Sequence, residues 1–200
     1  MTPRATSIDA AKATSVAAET RRLLDHYLVA SARAGDHRAF ADLVRRWNRR
    51  FAAHAYRLLG DPEAARDVVQ TGWLDIARGL NRLQDEQAFA AWAYRIVSRR
   101  CARHVAAQRG RRELDRAVLA EPEAEPVRLD VEGRDQLRRL RAAIQTLPPP
   151  QRAAIALFHF EDLSIAEIAV ALDVPAGTIK TRLMHARRRL RAVLEGDDHD

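Results

Sequence analysis

The chain contains one cysteine, Cys101, among its 200 residues. A single thiol cannot form an intramolecular disulfide, and it excludes a zinc site built from several cysteines. Cys101 falls on the apolar face of a predicted helix, which indicates a small core residue rather than a nucleophile. The seven histidines are scattered along the chain without the spacing of metal ligands. We therefore expect no metal site and no cofactor.

Catalytic motifs are also lacking. The chain has no glycine-rich phosphate loop, no His-Glu-x-x-His and no Gly-x-Ser-x-Gly turn, and these are the short motifs with a known catalytic geometry. One pair of adjacent carboxylates, Glu161 and Asp162, falls at a predicted helix junction without a neighbouring base. We expect this pair to lie in a solvated turn, and we predict that the chain is not an enzyme.

Long hydrophobic runs are absent as well. No apolar stretch approaches the ~20 residues that a helix needs to cross a bilayer. No signal-peptide core follows the N-terminus. We expect a cytoplasmic protein without membrane insertion.

Lysine is scarce, whereas arginine is abundant. Lys12 and Lys180 are the only lysines, yet the formal net charge is +7. One guanidinium group can donate two hydrogen bonds to the oxygens of the same phosphate. The arginine-rich composition therefore favours a polyanionic partner. A GC-rich genome that places arginine on ordinary surfaces is an alternative source of part of the excess.

β-Strand patterns are missing too, because the apolar residues recur with helical rather than alternating spacing. Gly35 and Gly60 each follow an apolar helical face and predict helix ends, while Asp36 and Asp61 predict the N-caps of the next helices. We predict an all-α fold of two helical domains joined by a flexible linker, with a C-terminal four-helix domain that ends in a helix-turn-helix. The predicted segments are a disordered or fraying N-terminal extension (1–20), a first helical domain (21–109), an acidic, proline-bearing linker (110–132) and a second helical domain (133–195).

The second domain ends in a short helix, a turn and a longer basic helix. Ser164 is followed three residues later by Glu167, which is the spacing of a capping box. Pro175 interrupts the pattern because it lacks an amide donor, and helical spacing resumes beyond Gly177. The last helix has one apolar face and one face rich in arginine, which favours a helix-turn-helix whose second helix enters a DNA major groove. The alternative is an αα-hairpin whose arginines are only solvated.

Five motifs stand in order along the chain. They are Ala-Arg-Ala-Gly-Asp at 32–36, Leu-Leu-Gly-Asp-Pro-Glu-Ala-Ala at 58–65, Asp-Val-Val-Gln at 67–70, Phe-Ala-Ala-Trp-Ala-Tyr-Arg-Ile at 89–96 and Gly-Thr-Ile-Lys-Thr-Arg-Leu at 177–183. Together they resemble the extracytoplasmic-function (ECF) class of sigma factors of the sigma-70 family. The resemblance implies a subunit that binds core RNA polymerase, recognises the −35 and −10 promoter elements and promotes DNA melting for transcription initiation.

The resemblance also implies roles for individual side chains. The residues matching −35 element contacts are Lys180, Thr181, Arg182, Met184, His185, Arg187 and Arg188. The residues matching contacts to the −10 element and its unpaired strand are Tyr94, Arg95, Arg99, Arg100 and Arg103. The residues matching the surface that faces core polymerase are Asp67 and Gln70. Single strands are bound by aromatic platforms combined with cations, and Tyr94 is predicted to lie off the apolar face, whereas Phe89 and Trp92 are predicted core residues.

Partners are implied by the resemblance as well. A sigma factor of this class is regulated by an anti-sigma factor, and we expect the free chain to be monomeric. The linker acids Glu121, Glu123 and Glu125 would either mimic nucleic-acid charge or belong to a plain solvated tether. The chain departs from the family pattern at Arg66, Thr71, Ala90, Arg99 and His185. These departures leave the preferred promoter sequence open.

Two other functions are compatible with the sequence. The helix-turn-helix also resembles that of response-regulator-type proteins, so a stand-alone transcriptional regulator that binds an operator as a dimer is one alternative. A sequestering protein without DNA activity is the other.

Overall fold

Eight α-helices account for most of the residues that the computed structural model describes, which are 5–116 and 132–196. They are α1 (Ala5–Arg33), α2 (His37–Leu59), α3 (Pro62–Gly79), α4 (Phe89–Arg116), α5 (Glu132–Thr146), α6 (Pro149–Phe160), α7 (Ile165–Leu172) and α8 (Ala176–Gly196). Two short 3-10 helices, Leu80–Arg82 and Glu86–Ala88, join α3 to α4. The described ranges contain no strand, which confirms the predicted all-α class.

Most helix ends fall where the local sequence predicts them. The Asp36 carboxylate accepts hydrogen bonds from the backbone amides of Arg38 and Ala39 at 2.8 and 3.2 Å. Asp61 caps α3 in the same way. Gly60 ends α2 with φ of 75°, a left-handed conformation that costs glycine little because it has no Cβ.

Two helices extend beyond their predicted limits. The first begins at Ala5, although residues 1–20 were expected to be disordered or fraying. Residues 5–20 contain neither proline nor glycine, so no residue of this segment interrupts α1. The fourth helix continues to Arg116, seven residues into the predicted linker, because Gly110 is followed by good helix formers. The rest of the predicted linker up to residue 131, with Glu121, Glu123 and Glu125, lies outside the described residues, as do residues 1–4 and 197–200.

An aromatic cluster forms the core of the first domain. The ring centroid of Phe51 lies 5.5 Å from that of Trp47, 5.2 Å from that of Trp73 and 5.1 Å from that of Tyr94. Most of these pairs meet edge to face or tilted, as aromatic quadrupoles favour. Phe89 is also buried against Trp47, which confirms its predicted core position, while Trp92 is half-buried. The cluster holds α2, α3 and α4 together.

The second domain packs directly on the first. Helix α4 packs against α7, and α2 packs against α6. The Arg152 guanidinium of α6 donates to the carbonyl oxygen of Leu58 in α2 at 3.0 Å and to that of Leu147 at 3.0 Å. Gln145 Nε2 donates to the carbonyl oxygen of Arg57 at 3.0 Å. These bonds join the end of α2 to the α5–α6 corner.

Candidate nucleic-acid interface

The turn before α8 is built by local hydrogen bonds. Ser164 Oγ accepts from the amide of Glu167 at 3.3 Å, and Glu167 Oε2 accepts from the amide of Ser164 at 2.7 Å. This reciprocal pair confirms the predicted capping box. Asp173 is the C-cap of α7, with φ of 56° and an amide that donates to the carbonyls of Ala169 and Val170. Helix α8 begins three residues later at Ala176, so the two helices of the helix-turn-helix are joined by a tight turn.

Helix α8 separates its apolar and charged faces. Ile179, Leu183 and Ala186 are buried against the rest of the domain. The side chains on the opposite side are exposed, with Met184 at 58%. The exposed set is Lys180, Thr181, Met184, Arg187, Arg188 and Arg189. Of the predicted −35 residues, Arg182 and His185 are only partly exposed.

Contacts on the exposed face orient several of its side chains. Arg188 Nη2 lies 3.3 Å from His185 Nδ1. Arginine has only donors, so Arg188 donates in this contact and His185 Nδ1 accepts. The guanidinium of Arg187 lies 5.2 Å from the ring centroid of Phe158 in α6, a cation–π distance. Thr181 Oγ1 donates to the carbonyl of Gly177 at 3.1 Å.

Tyr94 does not lie where the sequence predicted. Its side chain has 0% exposure, so the prediction that it lies off the apolar face is wrong. The ring is enclosed by Trp47, Phe51 and His54, and the hydroxyl donates to Glu161. Burial and the adjacent Glu161 carboxylate raise the pKa of the Tyr94 hydroxyl far above its usual range. The ring of Tyr94 packs on α2, and its hydroxyl reaches Glu161 at the end of α6. The spacing of apolar residues along α4 does not reveal these tertiary contacts.

Three arginines of α4 form ion pairs with carboxylates. Arg95 Nη2 and Arg99 Nη2 each lie 2.7 Å from a different oxygen of Asp173, in the turn before α8. Arg100 Nε donates to Asp75 Oδ2 in α3 at 2.7 Å. The hydrogen bonds from Arg95 and Arg99 lower the pKa of Asp173 below its usual range. Arg103 is exposed, and no ion pair of its guanidinium appears within 5–116 and 132–196.

Glu161 is a functional candidate that the sequence did not predict. It is 5% exposed, so the expectation of a solvated turn is wrong for this residue. Its carboxylate accepts from Arg57 Nη1 at 2.9 Å and from Arg50 Nε at 3.2 Å, and it also accepts from the Tyr94 hydroxyl. Asp162, by contrast, is exposed with φ of 54°. Nothing near Glu161 in the sequence signals this role, because its partners lie 67 to 111 residues away.

The predicted polymerase-facing residues lie on the outer side of α3. Asp67 and Gln70 are both exposed, and the carbonyl of Asp67 accepts from Thr71 Oγ1 at 2.8 Å. Leu74 continues the same side one turn further and is 53% exposed. The departure at Arg66 is exposed beside them. This surface is polar with one apolar residue at its end.

The described residues contain neither a candidate metal site nor a candidate membrane span. Within 5–116 and 132–196, no group of three or more histidine, cysteine, aspartate or glutamate side chains could hold a metal ion. No helix in those ranges is both long and apolar enough to span a membrane. Cys101 is buried, as predicted, and burial raises the pKa of its thiol to about 12.

Both halves of the chain match known protein families. A family model described as Sigma-70 region 2 matches residues 43–111, and one described as Sigma-70, region 4 matches residues 137–190. The RNA polymerase sigma-H factor of Pseudomonas aeruginosa is 32% identical over 182 residues, which cover 86% of this chain and 94% of that protein. The ECF RNA polymerase sigma-E factor of Haemophilus influenzae is 32% identical over 181 residues, with 84% and 94% covered.

The chain belongs to the extracytoplasmic-function class of the sigma-70 family. The region 2 match covers most of α2, all of α3 and most of α4, and the region 4 match covers most of α5, all of α6 and α7, and most of α8. Sigma factors are transcription initiation factors rather than enzymes. The Arg95–Asp173 and Arg99–Asp173 ion pairs therefore join region 2 to region 4.

Solved structures support the fold of this sigma factor. The structure of CnrH in complex with the cytosolic domain of CnrY matches with a TM-score of 0.65 and 25% identity, covering 87% of this chain and 99% of that one. The sigma factor RpoE of Bartonella quintana, crystallised with the anti-sigma factor NepR, matches with a TM-score of 0.59 and 24% identity, covering 77% and 97%. The second match bears on the fold alone.

Proposed function

We propose that this sigma factor binds core RNA polymerase through α3, reads the −35 element with α8, engages the −10 element with α4 and promotes melting of the promoter. The observation that carries the proposal is the exposed cationic face of α8, presented by a complete helix-turn-helix. A helix of about 10–12 Å diameter with its side chains fits a major groove. The family membership of both domains supports the same division of labour.

At the −35 element, α8 divides into a reading part and an anchoring part. Lys180, Met184 and His185 project from its first half, where a recognition helix meets base edges. The Nε2–H of His185 is free to donate to a base acceptor because Arg188 occupies Nδ1. Arg188 and Arg189 are exposed further along and contact phosphates, which position the helix without specifying sequence. The guanidinium of Arg187 also contacts the ring of Phe158, so its contact with DNA is weaker than those of Arg188 and Arg189.

At the −10 element, the cations of α4 hold the backbone of the unpaired strand. Arg103 is exposed in this structure, whereas Arg95, Arg99 and Arg100 reach DNA only after they leave their carboxylate partners. Tyr94 takes part only in a state in which region 4 has moved away from α4. The proposed strand contact is therefore mainly electrostatic, as in other single-strand binders.

Core polymerase binds the outer side of α3. Asp67 and Gln70 supply polar contacts, and Leu74 supplies an apolar contact of the kind found in the centre of protein interfaces. All three are exposed on one side of the helix. Arg66 on this surface replaces the acid common in the family and adjusts the match to the polymerase.

Regulation by an anti-sigma factor completes the proposal. The two matching structures are complexes, one of CnrH with the cytosolic domain of CnrY and one of the sigma factor RpoE with the anti-sigma factor NepR. We assign this chain a partner of the same kind, which competes with core polymerase. The chain itself catalyses no reaction and acts in the cytoplasm, where its polymerase transcribes.

The test is transcription with purified core polymerase. Transcript starts are mapped with core enzyme alone, with core enzyme plus the chain, and with an Asp67→Ala/Gln70→Ala variant. New starts that require the wild-type chain and decrease with the variant support the proposal. An unchanged set of starts would overturn it. Gel filtration of the free chain with DNA then tests the stand-alone regulator, because tight binding of an operator-sized duplex by a dimer without polymerase favours that alternative.

A further inference from the structure

An open groove lies beside the second half of α4, and residues of α6, α7 and α8 also line it. Its volume is about 370 Å³, which lies within the ~300–1,000 Å³ of pockets that bind small molecules. Helix α4 contributes Ala102, Val105 and Ala106, and α6 contributes Pro150 and Ala153. Because these side chains are small, they leave the space between the helices unfilled, and a ligand can enter it without displacing the core.

The walls of the groove are apolar. Ser98 carries the only hydroxyl among the described residues that line it, and none of those residues carries an amide or a carboxylate side chain. The Ser98 Oγ lies 3.0 Å from His54 Nε2, so it already has a hydrogen-bond partner. The Cys101 thiol also lines the groove and is neutral, because burial raises its pKa to about 12. Such walls suit a hydrocarbon chain, whereas a sugar or a nucleobase would lose its hydrogen bonds to water without replacement.

Three arginines also line the groove. Arg99 donates to the Asp173 carboxylate at 2.7 Å. Arg109 and Arg182 form no ion pair within 5–116 and 132–196, and both reach solvent. The groove thus combines apolar walls with two cationic groups that have no carboxylate partner among the described residues. This distribution of charge is complementary to an apolar chain that ends in one anionic group.

We propose that the groove binds a free fatty acid, whose alkyl chain lies on the apolar walls and whose carboxylate binds the guanidinium groups of Arg109 and Arg182. Guanidinium and carboxylate groups form short, charge-assisted hydrogen bonds. A phospholipid carries two chains and a bulky headgroup, which a volume of about 370 Å³ does not accommodate. A carboxylate with a single chain matches both the volume and the charge of the groove.

A bound fatty acid acts on α8 through Arg182. This residue lies in the first half of α8 and belongs to the set that matches −35 element contacts. A carboxylate bound to its guanidinium occupies donors that DNA would otherwise accept from, and it adds a negative charge beside the DNA-facing side of the helix. The fatty acid therefore weakens −35 binding. This consequence rests on the −35 role proposed above, whereas binding in the groove does not.

The first test is isothermal titration of the full-length chain with sodium dodecanoate, below the concentration at which it forms micelles. We expect saturable binding of one dodecanoate per chain. Dodecyltrimethylammonium has a chain of the same length but a positive headgroup, and it should bind at least about tenfold more weakly because it cannot accept from the arginines. Equal affinity for the two probes, or no saturable binding of dodecanoate, would overturn the proposal.

Two matched pairs of variants locate the site. Ala102→Leu places a larger apolar side chain in the groove, and Ala107→Leu makes the same change at an exposed residue of α4 outside it. Arg109→Ala removes a cation from the groove, and Arg49→Ala removes one from an exposed residue of α2. We expect dodecanoate affinity to fall by about tenfold in each groove variant and to stay at the wild-type value in each control. An equal loss within either pair would contradict the assigned site.

The second test is promoter-directed transcription with core polymerase at increasing dodecanoate. The wild type and Ala107→Leu should be inhibited alike, whereas Ala102→Leu should require about tenfold more dodecanoate for the same inhibition, in line with its lower affinity. Equal inhibition of all three would show that dodecanoate acts on the polymerase, and it would overturn the regulatory role. If the wild type directs no transcription, the proposed function fails, while the titration still decides whether the groove binds a fatty acid.

Discussion

His54 is a fully buried histidine between α2 and α4. Its Nε2 lies 3.0 Å from Ser98 Oγ, and its Nδ1 has no described partner. Burial, with a smaller contribution from the charge of Arg57, lowers the pKa of His54 to about 3 from 6.5. The folded state therefore keeps the ring neutral in a range where the unfolded chain protonates it.

The consequence for acid stability has a definite sign. Between pH 6.5 and 3 the unfolded state binds the extra proton, so the free energy of unfolding should fall by roughly 1.4 kcal/mol per pH unit as pH decreases. Chemical denaturation at pH 7 and pH 5 measures this. His54→Asn should flatten the pH dependence, whereas His37→Asn, at an exposed residue, should not. An equal slope in His54→Asn and the wild type would contradict the assignment.

Lys180 and Arg188 should differ in how their loss affects promoter use. Lys180→Ala removes a base contact and should change discrimination at one −35 position by ~1–3 kcal/mol. Arg188→Ala removes a phosphate contact, so it should weaken all promoters alike and reduce the salt slope by ~1. Transcription from a set of single-base promoter variants at several salt concentrations separates the two effects. A position-specific change in Arg188→Ala would instead indicate that it acts through its contact with His185.

Single residues show where sequence reasoning succeeds and where it does not. Phe89 and Cys101 were predicted core residues and are buried, because helical spacing carries that information directly. Tyr94 and Glu161 were placed at the surface, yet both are buried. The Tyr94 hydroxyl donates to the Glu161 carboxylate, which also accepts from two arginines of α2. A pairing between residues so far apart in the chain leaves no periodic signal.

Among the helices, α7 depends most clearly on a local capping motif. It has only eight residues, which is too short for a helix to be stable without support. The capping box at Ser164 satisfies two backbone groups at its start. Ser164→Ala should lower the free energy of unfolding by about 1 kcal/mol and weaken −35 binding, because α7 supports α8. Urea denaturation measures the loss, and Ser164→Thr, which keeps the hydroxyl, should restore most of it.

Helix ends were predictable where a single residue type determines them. Asp36, Asp61 and Gly60 act within one turn of their own positions, so the sequence indicates them without tertiary information. The start of α1 and the end of α4 were not predictable in the same way. Residues 5–20 contain no proline or glycine, and helix propensity without a local start or stop signal is a weak guide to how far a helix extends.

At the scale of the whole molecule, Arg152 joins the two domains. It donates to Leu58 of α2 and to three acceptors on Gln145 and Leu147, and burial lowers the pKa of its guanidinium. Arg152→Ala leaves several carbonyls without a donor and should lower the free energy of unfolding by about 2–3 kcal/mol. Thermal and urea denaturation measure this, with Arg141→Ala, at an exposed residue of α5, as the control. If Arg152→Ala lowered the free energy of unfolding by no more than Arg141→Ala does, the hydrogen bonds of Arg152 would not be stabilising.

The amino-acid sequence alone determined the helical class, the capping signals, the helix-turn-helix and the family resemblance, because each of these depends on residues within a few turns of one another. Only the tertiary structure decided which charged side chains form ion pairs. Asp173 pairs with Arg95 and Arg99, and Glu161 pairs with Arg50 and Arg57, since the packing of region 4 on region 2 brings together groups that lie far apart in the chain. An ion pair requires its two groups to lie within about 4 Å of each other. The linear sequence does not record which distant residues the packing brings that close.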